Sequence, residues 1–417
     1  MRACIHRGAT QIGGSCVELE YEGQRLLIDM GLPLDSLSSS AAYLPLAVSE
    51  QMSASSKALC AVIISHPHLD HYGLLHHLPK GTPVITGEAA RALITAAVPF
   101  TGQPLPLMEG LVLKDRQPLE IGPFRVTPFL VDHSAYDAYS LLVEAGGRTL
   151  FYSGDFRAHG RKASLFERLI SDPHGPIHSL LMEGTSIGRP DGLQVRYPTE
   201  AELETKMVSV FRGTTGLAMV HTSAQNIDRV VTLYRAARKT GRDLVIDLYA
   251  AAILEATGNA NLPQSDWEFV KLFVPQRQRI QIKKQGNFGL LQRHKANRIY
   301  AEDIAADPSR YALLFRPLHM RDMERASCLQ QASYIYSQWM GYWEEGAYDA
   351  IKSWLSVNEI PFYNIHTSGH ADPHTLKRFV TGMAPERLVP IHSFHPEEFS
   401  SLYNPVEHRA DGEWWHV

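Results

Sequence analysis

Over its first 190 residues the chain alternates short apolar runs with turn-forming residues. The runs Arg25 to Asp29, Ala61 to Ser65, Pro83 to Thr86, Phe124 to Phe129, Leu141 to Glu144 and Thr149 to Ser153 have the length and bounding residues of strands. Several of them end on polar residues that make poor core fillers: Asp29, the cluster opening at His66, Asp132-His133 and Asp155. Loops at strand ends are where catalytic groups tend to be carried, so the pattern concentrates function along one edge of a sheet.

From about Pro198 the period changes. Thr199 to Phe211 has helical spacing with an acidic first turn, Gly216 to Thr222 reads as a strand, Asn226 to Thr240 as a helix stopped by Gly241, and Asp243 to Leu248 as the next strand. Strand, helix and strand in that order imply a parallel unit. A helix-rich stretch from Ser327 to Val357 leads back to strand-like pieces at Pro361 to His366 and Arg387 to Ile391. The serine-rich stretch Ser36 to Ser40, with Ser53 to Ser56 nearby, reads as an exposed loop, and no internal repeat is visible. A length of 417 residues exceeds what one core usually organises, which suggests two domains or one domain carrying a large insertion.

Composition narrows the function classes. The 44% hydrophobic content is that of a soluble globular chain, and a net charge of -4 excludes a protein that holds nucleic acid by bulk charge. Any anionic substrate must be met locally. One segment offers this: Lys271, Arg277, Arg279, Lys283, Lys284, Arg293, Lys295 and Arg298 fall in a stretch without Asp or Glu, interleaved with Phe273 and Phe288, as a groove wall for a phosphate backbone would be. The aromatic set Tyr334, Tyr336, Trp339, Tyr342, Trp343, Tyr348 and Trp354 has near-helical spacing and reads as a packed helical layer. Cys4, Cys16, Cys60 and Cys328 are scattered, indicating neither a disulfide framework nor a zinc knuckle. With no apolar signal region and no 18-residue apolar run, the expectation is a cytoplasmic protein without a membrane partner.

The densest chemistry is His66-Pro67-His68-Leu69-Asp70-His71, where four potential ligands lie within six residues directly after an apolar strand. On a tight loop they can point one way, as a multidentate site requires, and imidazole with carboxylate suits zinc or manganese. Further ligands are expected at later strand ends: Asp132-His133-Ser134, Ser153-Gly154-Asp155-Phe156 and Pro390-Ile391-His392-Ser393. His76 and His77 are expected near the site or at the surface, not as ligands.

The order and local contexts of these motifs resemble the metallo-beta-lactamase superfamily and, within it, the β-CASP nucleases such as RNase J and the endonuclease of messenger-RNA 3′ processing. Met182-Glu183-Gly184-Thr185 resembles that family's acidic motif and His366-Thr367-Ser368-Gly369-His370-Ala371 its histidine motif. The resemblance implies an α/β architecture, a four-layer αββα domain formed by residues 1–191 and 358–417, with an inserted α/β domain over residues 192–357. It implies that His66, His68 and His133 hold one divalent metal, that Asp70, His71 and His392 hold another, and that Asp155 bridges the two. Asp29 resembles the buried carboxylate that supports the metal loop. The metals expected are two divalent ions, Zn2+ first and Mn2+ second.

Phosphodiesters resist attack because a charged phosphate repels its nucleophile, so the expected reaction is hydrolysis by a metal-bridging hydroxide. Asp70, His370 and Glu183 form the expected catalytic set, with His370 protonating the leaving oxygen and Glu183 orienting it. Ser368, Gly369 and His370 are expected to seat a substrate phosphate, which in RNase J-like enzymes favours 5′–3′ exonuclease action. The first expectation is therefore a ribonuclease, with RNA preferred to DNA and a homodimer left open. A same-fold hydrolase of DNA or a small phosphoester or ester stands second, and a non-catalytic RNA-binding scaffold third. Two departures from RNase J stand out: Phe315-Arg316-Pro317-Leu318-His319 replaces its late Gly-rich loop, and the sequence ends soon after His392, where RNase J continues into a carboxy-terminal domain.

Overall fold

The computed structural model describes residues 1–36, 40–44, 59–104, 108, 110–172, 174–189, 195–344 and 346–417. Most of the serine-rich stretch and the expected boundary at residues 191 and 192 lie outside the described residues. The chain forms two compact units: Met1–Val98, Gly102–Tyr197 and Gly369–Val417 make the first, and Pro99–Thr101 with Pro198–Ser368 the second.

The first unit holds two sheets. One has the strand order Trp414–His416, Arg2–Arg7, Cys16–Tyr21, Gln24–Ile28, Leu59–Ile63, Val84–Gly87, Val112–Leu113. The other runs Leu388–Ile391, Ser179–Glu183, Arg148–Tyr152, Ala138–Ala145, Phe124–Val131, Leu119–Ile121. Side chains alternate between faces with a period of two, so neighbours such as Leu26 and Leu27 enter different cores. Between the sheets, Ile5, Val17, Leu26 and Ile63 pack with Val126, Leu141, Tyr152 and Ile391. Outside the first sheet, Leu27, Val62 and Val84 meet Leu74, Leu75 and Ile94, the last on the helix Glu88–Thr101. Outside the second, Phe151, Leu180 and Met182 meet the helices Ser164–Ser171 and Pro373–Met383 through Phe166, Leu169, Leu376 and Phe379. Helix, sheet, sheet, helix is a four-layer αββα arrangement.

Strand direction explains why the polar strand ends converge. Gln24–Ile28 is parallel to Leu59–Ile63, and Arg148–Tyr152, Ser179–Glu183 and Leu388–Ile391 are mutually parallel. Phe124–Val131 runs the same way, being antiparallel to a strand that is itself antiparallel to Arg148–Tyr152. Carboxyl ends within each sheet therefore share an edge.

The second unit is a parallel sheet in the order Arg298–Ile299, Val270–Phe273, Asp243–Ile246, Tyr311–Phe315, Ala218–His221, Ser333–Tyr336, Phe362–Asn364. This sheet extends beyond Val357 through its last strand. The helix Glu200–Gly213 starts where Thr199 accepts from the Glu202 backbone N–H and Glu202 accepts from Thr199, a capping box written in the sequence as Thr-x-x-Glu. The helix-rich reading of Ser327 to Val357 needs correction, because Ser333–Tyr336 is an inner parallel strand buried on both faces. Trp354 does sit on a helix, Asp349–Val357.

Candidate metal centre

Asp29 is the anchor from which the site is built. Wholly buried and in the left-handed region at φ 61°, it accepts four hydrogen bonds: from Ser65 N (2.7 Å), Ser65 Oγ (2.8 Å), His71 Nδ1 (2.8 Å) and the Tyr152 hydroxyl (2.8 Å). Asp tolerates that backbone better than most residues. The segment that follows is knitted to the cluster loop by Met30 N to the His71 carbonyl (2.7 Å) and Leu32 N to the Leu69 carbonyl (3.0 Å). Gly31 is required there, since a Cβ would lie 1.7 Å from the Asp70 carbonyl oxygen.

These contacts set the tautomers. The Ser65 hydroxyl donates its one O–H to Asp29, so in the 3.0 Å contact with His66 Nδ1 the imidazole is the donor, leaving His66 Nε2 with a lone pair. His71 donates Nδ1–H to Asp29, and its Nε2 faces Asp155 Oδ2 at 3.2 Å; burial opposes charge on this ring, but Asp155, Asp29 and Asp70 outweigh it and hold the metal-free imidazole well above the ordinary histidine range. His66 Nε2 is 3.6 Å from the same oxygen. His66 Nε2, His71 Nε2 and Asp155 Oδ2 are buried without a hydrogen-bond partner. Unsatisfied buried polar atoms cost about 1–3 kcal/mol each, so three facing one another describe a cradle for a cation.

Among the described residues the expected donors fall into His66, His68 and His133 and, separately, Asp70, His71, Asp155 and His392; Asp155 and His392 also group with Glu183 and His370, and His395, Glu397 and Glu398 form a further group. His133 Nε2 lies 3.3 Å from His68 Nδ1, and His392 Nε2 lies 3.4 Å from Asp70 Oδ2. Burial holds His66 and His133 well below the ordinary histidine range and His68 at about 4, so all three are neutral, as ligands must be. Burial opposes charge on Asp155, but His392, His71 and His370 outweigh it and keep the carboxyl ionised. Nitrogen and carboxylate donors without thiolate fit a divalent ion such as zinc or manganese.

Beside these donors, His370 Nδ1 bonds Glu183 Oε2 at 3.0 Å and lies 3.7 Å from Asp155 Oδ2. Burial alone would lower its pKa, yet in the metal-free protein Glu183 and Asp155 push it up to about 9. Glu183 is held in turn by the Phe156 N–H (3.0 Å) and the Thr185 N–H (3.3 Å). Of the expected phosphate group, Ser368 ends the second unit, whereas Gly369 and His370 open the last stretch of the first. A Cβ on Gly369 would meet Ser134 Oγ at 2.4 Å. His76 and His77 meet each other with their rings tilted by 43° and centroids 3.8 Å apart, and belong to no donor group among the described residues.

Four supporting residues escaped the sequence reading: Ser65, Tyr152, Ser153, whose hydroxyl accepts from Glu183 N (3.0 Å), and Thr185, whose hydroxyl meets His392 Nδ1 (2.9 Å). Ser153 and Thr185 lie inside quoted motifs and Ser65 and Tyr152 just before them, which is the signal the sequence carries for their supporting role. In the second unit the basic segment forms the strand Val270–Phe273 and the helices Gln276–Gln285 and Phe288–His294. Phe273 is a core residue, not a groove aromatic, whereas Phe288 is exposed. Arg279 and Arg293 pair with Asp322 (3.7 Å) and Glu255 (3.4 Å), while Arg277, Lys283, Lys284 and Lys295 are exposed.

A family model described as a beta-lactamase superfamily domain matches residues 25–239. Ribonuclease J of Sinorhizobium meliloti is 22% identical over 80% of this chain and 57% of its own length. Ribonuclease J of Mycoplasma genitalium is 20% identical over 92% of the chain and 66% of its own length. The chain thus spans roughly three-fifths of these relatives. A crystal structure of a protein of unknown function from Enterococcus faecalis V583 shares the fold, with a TM-score of 0.77, 22% identity and 99% coverage of both chains.

Proposed function

The chain belongs to the beta-lactamase superfamily, and from that premise we propose that it is a metal-dependent ribonuclease. The observation that carries the reading is Asp155 Oδ2, buried without a hydrogen-bond partner, 3.6 Å from His66 Nε2, 3.2 Å from His71 Nε2 and 3.7 Å from His370 Nδ1. His66, His68 and His133 would hold one divalent cation and Asp70, His71 and His392 a second, with Asp155 common to both. Divalent ions so held acidify water and neutralise phosphoryl charge. The chain's own residues do the rest. Asp29 fixes the His71 ring through Nδ1, Thr185 fixes His392 through its hydroxyl contact, and Glu183 keeps a proton on His370, ready for the leaving oxygen.

RNA is the proposed substrate class because the relatives in question are ribonucleases J. The exposed Arg277, Lys283, Lys284 and Lys295, with Phe288 among them, add a surface for a phosphate backbone with a base-stacking face. Action from a 5′ end, seated by Ser368, Gly369 and His370, is the mode proposed. The test incubates the protein with Mn2+ or Zn2+ and 5′-monophosphate, 5′-triphosphate and 5′-hydroxyl RNA, and with single-stranded DNA. Cleavage of RNA is expected, fastest from the monophosphate. Turnover of a small ester with all four polymers intact would sink the ribonuclease.

A further inference from the structure

Arg157, which follows Asp155 by one intervening residue, is completely buried, and so is Asp132, the residue before His133. The two are joined twice. Their main chains form an antiparallel bridge in which the Arg157 N–H donates to the Asp132 carbonyl (2.6 Å), and Arg157 Nε donates to Asp132 Oδ1 (3.3 Å). The chain then turns back so that the Gly160 N–H donates to Asp132 Oδ2 (2.7 Å). Glycine is required at that turn, since a Cβ would lie 2.3 Å from Asp132 Oδ1 and 2.6 Å from Arg157 Nε. The loop that follows Asp155 is thereby closed around the carboxylate that precedes His133, and all of these residues belong to the first unit.

The clasp matters for what comes after Asp132. His66, His71 and His392 are each oriented at Nδ1 by a side chain, from Ser65 (3.0 Å), Asp29 (2.8 Å) and Thr185 (2.9 Å) respectively. His133 Nδ1 is buried without a hydrogen-bond partner, so that ring takes its place from the main chain that carries it and from the rings it packs against. Asp155, on the other loop, is secured separately by the Phe156 N–H on Glu183 (3.0 Å). A buried ion pair gives little net stability over an apolar replacement, so what this one supplies is a defined geometry. We infer that Arg157 is a positioning residue for His133, fixing where its imidazole stands beside His68 and thereby the affinity of the site that His66, His68 and His133 would form. This deepens the proposed function and rests on reading His133 as a ligand.

Arg157→Lys keeps a charge for Asp132 but puts a carbon where arginine has Nε. In the full chain titrated with Zn2+ against a chromophoric chelator, the parent should take up a pair of ions. The variant should hold one of them within about twofold of the parent and the other about 10–100-fold more weakly. Anomalous scattering from variant crystals at limiting Zn2+ should show the ion among Asp70, His71 and His392 retained and that among His66, His68 and His133 depleted. Equal weakening of both ions would mean a purely structural role and would overturn the inference, as would unchanged affinities or a loss confined to the other ion. Gly160→Ala removes no charge and forces the clasp apart, so it must give the same one-sided loss, or the inference fails; it also decides the matter should Arg157→Lys not fold. If the parent does not bind a pair of ions, the proposed centre falls, and the metal-free variant crystal still decides the role of Arg157. A retained 3.3 Å His133–His68 contact there overturns that role, and a lost one upholds it.

Discussion

Asp29→Asn should damage the protein in two measurable ways. The carboxylate receives four donors on two acceptors, whereas an amide offers one acceptor. In its better orientation Asn keeps Oδ1 toward Ser65 Oγ, His71 and Tyr152 and turns its NH2 against the Ser65 N–H. That loses one charge-assisted bond, strands a buried donor and weakens three others, a cost of about 3–5 kcal/mol. The left-handed backbone adds nothing to this, since Asn tolerates it as Asp does. The weaker bond to His71 Nδ1 also makes its Nε2 a poorer ligand, lowering metal affinity by about 10–100-fold. Denaturant unfolding of the metal-free protein reads the first effect and competition with a chromophoric chelator the second. An unfolding free energy within about 1 kcal/mol of the parent, with unchanged affinity, would refute the assignment of Asp29 as the anchor of the loop.

Asp155→Ala should abolish hydrolysis and lower the metal content found by elemental analysis; a normal rate would remove Asp155 from the shared position. In metal-free protein His370 has its pKa raised from 6.5 to about 9, so its contribution to stability is full below 6.5 and lost as pH rises through 9. Glu183→Gln should therefore lower stability most at the acidic end of that window, with the gap to the parent closing toward its top; urea unfolding across the range checks the sign. Lys283→Ala with Lys284→Ala should weaken RNA binding and flatten its salt dependence by about 1.4 in logarithmic slope, at about 0.7 per phosphate contact. An unchanged slope in a filter-binding titration would place RNA elsewhere.

The cluster of candidate donors was legible because their chemistry is dense along the chain: His66 to His71 fall within one short stretch, and Asp155 and His392 each follow a strand. Their supports were not, because the contacts arise only in three dimensions. Tyr152 meets Asp29 across more than a hundred residues of chain, as Thr185 meets His392. Strand and helix were confused where burial was complete. Tyr334, Ile335 and Tyr336 are all inaccessible, so the strand loses the polar alternation by which it would be recognised, and the aromatics beyond it mimic a helical stripe. Phe273 misled for the opposite reason: its basic neighbours suggested a surface, while its strand carries it into the core. The helix at Glu200 was read closely because capping is a local interaction.

The close approach of Gly31 to the Asp70 carbonyl, with the backbone bonds on either side of it, has a bearing on how such a centre is filled. A finger that folds around its ion must order its chain at the moment of binding, and removing the ion unfolds it. Here the loop is already ordered by its neighbours in the sheet, so little conformational entropy is left to lose when ions enter. In the proposed centre, loading and stripping would then be reversible events on a folded scaffold, and the identity of the bound ion would follow its supply after synthesis instead of being set during folding.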